Sequence, residues 1–151
     1  MRFLVGWFTV CVFGLGCGGG VRPPALTEAK VTVLLAGQPL PNALVTFTPA
    51  ASHYGADAIA SGVTDAQGVA QLVCGTKPGA CIGLNRVTVM EAPLGEEARS
   101  DDPQAQAKAS KQLKELKNRP IPPRYATLAD GGIEVEIKAG QVEYKLELTR
   151  P

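Results

Sequence analysis

Apolar side chains fall at every second position along much of this chain, and only an extended backbone gathers such residues on one face. The C-terminal stretch shows it most clearly. Ile133, Val135 and Ile137 alternate with Glu134, Glu136 and Lys138; after Ala139-Gly140, Val142, Tyr144, Leu146 and Leu148 alternate with Glu143, Lys145 and Glu147. This predicts two antiparallel strands of a sheet with one wet face. The same period places Val31, Val33 and Leu35 on one side of Glu28 to Ala36, and Ala43, Val45 and Phe47 on one side of a second strand that Pro49, lacking an N–H, brings to an end. Ala58 to Thr64 and Val69 to Val73 read as a hairpin around Asp65-Ala66-Gln67-Gly68. Asp at the first turn position can accept hydrogen bonds from the backbone ahead, and Gly at the fourth can take positive φ, as a type I turn with a bulge requires. Leu84 to Met90 adds a strand with Val87 and Val89 on one face. About seven short strands with turns between them predict an all-β antiparallel sandwich.

Residues 91 to 119 depart from this pattern, being polar and alanine-rich. Asp102-Pro103 supplies a cap residue followed by Pro at the first helical position. A helix over Ala105 to Lys117 is expected, ended by Pro120, with Ala109, Leu113 and Leu116 as a thin apolar stripe. So narrow a stripe predicts a surface helix inserted between strands, over about 96–119. Lys111, Lys114 and Lys117 on it read as a solvated face rather than a binding patch.

The N-terminus says where such a domain would live. Arg2 precedes an apolar run from Phe3 to Gly16, with small residues at Gly14-Leu15-Gly16-Cys17, the pattern of a secretory signal. At about 1.5 Å of rise per residue the run reaches only about 20 Å, short of a hydrocarbon core of about 30 Å. Cys17 followed by Gly18-Gly19-Gly20 resembles the lipobox of bacterial lipoproteins, in which the Cys receives lipid and becomes the mature N-terminus; Gly14 stands where that motif usually carries Leu. The expected organisation is a signal peptide over 1–16, lipidated Cys17 and a flexible tether over 17–27, and one domain over 28–150. Cleavage as an ordinary secreted protein and retention as a membrane anchor are the alternatives. Gly18 is not the Asp of an inner-membrane retention signal, so the resemblance implies the outer membrane. The formal net charge is +1, which gives counterion-release binding to nucleic acid no basis.

Several segments resemble a known family. Gly37-Gln38-Pro39-Leu40-Pro41-Asn42-Ala43-Leu44-Val45-Thr46-Phe47 is similar to the Gly-Lys-Pro-Leu and Gly-Ala-x-Val-x-Phe of the carboxypeptidase regulatory-like domain. Ser61-Gly62-Val63-Thr64-Asp65-Ala66-Gln67-Gly68, Lys77-Pro78-Gly79, Val87-Thr88-Val89 and Ile121-Pro122-Pro123-Arg124-Tyr125 fit the same pattern. The resemblance covers most of residues 30–149 and implies an Ig-like or prealbumin-like sandwich in a short envelope lipoprotein. It brings no catalytic residues with it. The chain departs from the family at Asn42, where Gly is usual, at Ala129-Asp130-Gly131-Gly132, and at Ala70, where a larger apolar residue is common and a thinner core is expected.

Chemistry-bearing residues are few. His53 is the only His, beside Tyr54 and near Asp57, and reads as a solvated side chain, since zinc needs three or four ligands and a catalytic His needs an oriented nucleophile. Thr64-Asp65 reads as turn chemistry and Asp101-Asp102 as a helix cap. No catalytic, metal or cofactor site is expected. Cys74 and Cys81 flank a loop that must reverse direction, and a disulfide across its base is expected, with free thiols or metal ligation as alternatives. By chain entropy the bond would stabilise the fold by roughly 2–3 kcal/mol. The expected function is a non-enzymatic, lipid-anchored envelope protein that binds or scaffolds an envelope protein or polysaccharide. The alternatives are a carbohydrate- or peptide-binding module, for which the folded part offers mainly Tyr54 and Tyr125, and an enzyme like the transthyretin-related hydrolases. Those hydrolases use several His and end in Tyr-Arg-Gly-Ser, whereas this chain ends Leu148-Thr149-Arg150-Pro151.

Overall fold

The computed structural model describes residues 25–51, 53–93, 102–129 and 132–150. Cys17 with the signal and most of the tether, and the first part of the expected insertion, lie outside the described residues. The described chain is mostly β with one short helix. Its strands are β1 (Leu26–Thr27), β2 (Lys30–Leu35), β3 (Gln38–Pro39), β4 (Ala43–Pro49), β5 (Ala60–Val63), β6 (Val69–Gln71), β7 (Val73–Cys74), β8 (Lys77–Pro78), β9 (Ala80–Cys81) and β10 (Gly83–Glu91). The helix α1 (Pro103–Glu115) follows, and then β11 (Ile133–Ile137) and β12 (Glu143–Leu148).

Two open sheets build a sandwich-like body. The larger has six strands in the order β11-β10-β4-β5-β7-β8, and the smaller has β12, β2 and β3 in a row with β6 also paired to β2. Alternation does what the sequence pattern predicts: Val31, Val33 and Leu35 of β2 and Tyr144, Leu146 and Leu148 of β12 are buried with Val45, Phe47, Val87 and Val89 of the larger sheet. Ala70 is fully buried in this core. A Cβ added at Gly62 would meet the Gln71 carbonyl oxygen at 2.3 Å and the Ala70 Cβ at 3.3 Å. The chain at Gly62 therefore lies close against Ala70 and Gln71, which leaves no room for a side chain at 62.

Strand partners differ from expectation in two places. β11 and β12 do not pair with each other: β11 lies antiparallel on β10, while β12 crosses to the other sheet and runs parallel to β2, Tyr144 opposite Val31 and Leu148 opposite Leu35. The crossing is closed by Tyr144, whose hydroxyl accepts a hydrogen bond from the Lys138 N–H at 2.9 Å. The turn at Asp65 to Gly68 has its expected chemistry, with Asp65 Oδ1 accepting from the Gln67 and Val69 N–H groups and Gly68 at φ +77°. Its arms separate, however. β5 pairs with β4 and β7, whereas β6 pairs with β2, so the turn carries the chain between sheets. The tether boundary also shifts, because Leu26–Thr27, assigned to the tether above, forms β1 against β9.

α1 starts as its sequence predicts. Asp102 Oδ1 accepts from the Gln104 N–H at 2.9 Å, and Pro103 opens the helix. Most of its described side chains are exposed, with Ala105 and Ala109 half-buried.

Candidate functional site

The strand directions give the body two ends. β2 begins beside Val142 and Leu72 and finishes at the Ala36-Gly37 turn; β4 runs the opposite way, from Asn42 and Thr64 toward Pro49 and Asn85. The first end holds β1, β7 to β9 and the Ala56–Ala58 turn of 3-10 helix, and it receives the N-terminal arm. At the second end lie the β2–β3 turn, the Asp65 turn and both attachments of the segment containing α1.

The first end contains the two cysteines. Both are buried free thiols, so the bond expected between them is not formed in this structure although its partners are brought together. Cys74 Sγ donates to the Asp57 carbonyl and Cys81 Sγ to the Ala58 carbonyl, each at 3.1 Å, which places the two side chains next to one another. Burial, then the neighbouring Cys74, pushes the Cys81 thiol up to about 11. Asn85 lies just beyond, fully buried, its Nδ2 donating to the Cys81 and Gly83 carbonyls at 2.9 Å each. Its Oδ1 meets no protein partner among the described residues.

The second end contains a cleft of about 580 Å³ between the foot of α1 and the β2–β3 turn, lined by Gln38, Pro39, Pro41, Ala66, Leu116 and Lys117. Asn118 and Arg119 hold its helical wall in place. Asn118 takes φ +63°, and its Nδ2 donates to the Leu35, Gln38 and Pro39 carbonyls at 2.9, 3.0 and 3.3 Å while its Oδ1 accepts from Arg150. Arg119 pairs with Glu91 at 2.8 Å and donates to the Pro41 carbonyl. Neither residue stands out in the sequence; the only signal for Asn118 is a left-handed-tolerant residue just after a helix. Beside this end the outer face of the larger sheet carries an apolar row, Met90 opposite Leu44 opposite Val63, with Val63 49% exposed.

The remaining candidates fill structural roles. His53 is exposed and its ring lies 4.1 Å from that of Tyr54, which packs on the core. Thr64 is buried, its hydroxyl donating to the Leu40 carbonyl at 2.6 Å and accepting from the Ala43 N–H at 2.8 Å. Tyr125 is not an open platform, because the Arg124 guanidinium sits 4.9 Å from its ring centre and its hydroxyl accepts from the Thr149 N–H. Burial acts to raise the Tyr125 phenol, but hydrogen bonds with Thr149 and the neighbouring Arg124 outweigh it and hold the phenol below its ordinary value. Among the described residues, no three His, Cys, Asp or Glu side chains gather closely enough to hold a metal ion, and no helix is long and apolar enough to cross a membrane.

Fold and sites together define a small, mostly β, sandwich-like domain with a paired-thiol end and a clefted end. Comparison with protein-family models, curated proteins and solved structures finds no match to this chain.

Proposed function

We propose that this chain is a lipid-anchored, non-enzymatic protein of the bacterial envelope, with an Ig-like or prealbumin-like sandwich of the carboxypeptidase regulatory-like kind, which binds an envelope protein or polysaccharide through the clefted end. The observation that carries the reading is the order of parts along the chain. An apolar run ending at Gly16-Cys17-Gly18 is followed, eight residues after Cys17, by Ala25, which accepts the Ile82 N–H just before β1. Eight residues span at most about 28 Å, so a lipid at Cys17 would hold the thiol end near the bilayer. The cleft and the apolar row would then face away from it, available to a partner.

A binding role also suits the way polar groups are used. The Asp65 and Asp102 carboxylates are engaged by backbone N–H groups of a turn and a helix start, which are folding roles. The test is Cys17→Ala. This variant is expected to lose metabolic fatty-acid labelling and to leave the membrane fraction; unchanged labelling would remove the anchor from the proposal. Turnover of a substrate by the purified chain, abolished in His53→Ala, would defeat the non-enzymatic part.

A further inference from the structure

The strand that receives the N-terminal arm is held lightly. β1 meets β9 over two residue pairs, Leu26 with Cys81 and Thr27 with Ala80, supplemented by the Ile82 N–H to the Ala25 carbonyl at 2.9 Å. β9 in turn meets the larger sheet through Cys81, whose side chain lies against Cys74 of β7 and whose carbonyl accepts from Asn85 Nδ2 of β10 at 2.9 Å. The two thiols rest on consecutive carbonyls of one short 3-10 turn, those of Asp57 and Ala58, which fixes both sulfurs in the same small space. Cys74 is 6% exposed and Cys81 1%.

We propose that Cys74 and Cys81 are an oxidisable dithiol that closes to an intramolecular disulfide by exchange with a disulfide-bearing oxidant, tying the arm-bearing β1–β9 pair to the six-stranded sheet. The step balances without any other reactant. The Cys74 thiol loses its proton, its sulfur attacks one sulfur of the oxidant RS–SR, and RS⁻ leaves to become RSH. Cys81 then loses its proton and attacks Cys74 Sγ of the mixed disulfide, expelling the second RS⁻, also as RSH. Two protein thiols are oxidised by two electrons, the oxidant's disulfide is reduced, and both protons leave on the two RSH molecules. Cys74 is the first attacker because it is the less buried of the two, and because burial suppresses the thiolate of Cys81.

The full chain, solubilised in detergent and reduced, is incubated with oxidised glutathione and analysed by alkylation and peptide mapping. Loss of alkylation at Cys74 and Cys81, with the peptides that hold them joined and carrying no glutathione, is the expected result. This readout does not depend on lipid at Cys17, so it fails or succeeds apart from the anchor proposal. Cys81→Ser should stop at a glutathione adduct on Cys74 and form it faster than Cys74→Ser forms one on Cys81. The joined chain should also unfold at a higher temperature than the reduced one. Thiols that stay alkylatable while the urea-unfolded chain oxidises, or adducts that never resolve to the joined peptides, would overturn the site; an unchanged unfolding temperature would overturn the bracing.

Discussion

At the scale of single residues, two buried polar groups make opposite demands on the fold. Thr64 uses its hydroxyl as donor and as acceptor to backbone groups 24 and 21 residues away, so it joins Leu40, just after β3, and the start of β4 to the end of β5. Thr64→Val keeps the shape and strands the Ala43 N–H and Leu40 carbonyl without that partner. An unfolding free energy lower by about 1–3 kcal/mol is expected in urea titration, with an unchanged slope. Cys81 works the other way, since what the fold does to it appears only in alkali. Its thiol is raised from 9.0 to about 11, so the folded chain keeps a proton that the unfolded chain releases. Stability from this group is therefore complete below pH 9.0 and is lost as pH rises toward 11. In urea titrations at pH 8 to 11, the reduced chain should lose more stability than the same chain with the thiols joined, because the joined form has no proton there to lose. Equal losses would show that burial of this thiol does not resist ionisation.

At the scale of elements, the sequence announces faces better than partners. Alternation in β2, β4, β10, β11 and β12 predicts which side chains are buried, because period two is a local property of an extended chain. Which strand lies alongside is a long-range matter, and the same alternation suits a hairpin or a crossing. That is why β12 looks like the return arm of β11 in sequence yet sits parallel to β2 in the other sheet. The thiol pair was legible because its residues flank one short turn, whereas the cleft was not, being made by segments near 38, 66 and 117 that only the fold unites. α1 is the element the sequence describes best, a capped surface helix with little burial. At 13 residues an isolated helix of this kind is marginal in water, so it adds little to the fold's stability. Its exit is different, since Asn118 bonds three carbonyls of the β2–β3 turn. Replacing residues 96–116 by a Gly-Ser linker that keeps Asn118 and Arg119 should leave cooperative unfolding with only a small drop in midpoint. Asn118→Ala, one residue, should lower the midpoint further than the whole replacement does. The reverse order in thermal unfolding would mean that α1 contributes to the core.

At the scale of the whole molecule, the arrangement of ends makes an orientation testable without knowing the partner. β1 and the exposed β7–β8 turn at Gly75 and Thr76 share one end, while Ala66 is exposed at the other, beside the cleft. The strands between are six or seven residues long in β2 and β4, which at about 3.3 Å per residue separates the ends by about 20 Å. An anchor entering through β1 therefore brings Thr76 closer to a bilayer than Ala66 on average, even with a tether that lets the body tilt. In a Cys74→Ala, Cys81→Ala background, which keeps small apolar groups at the buried positions, Thr76→Cys and Ala66→Cys each provide one labelling site on the folded part. With the lipidated chain in vesicles carrying a headgroup-attached quencher, a fluorophore at 76 should be quenched more strongly than one at 66, and the difference should vanish in Cys17→Ala. Equal quenching in the lipidated chain would show that the body lies along the membrane, which would bring the clefted end down to the bilayer and leave the proposed binding face without the clearance it needs.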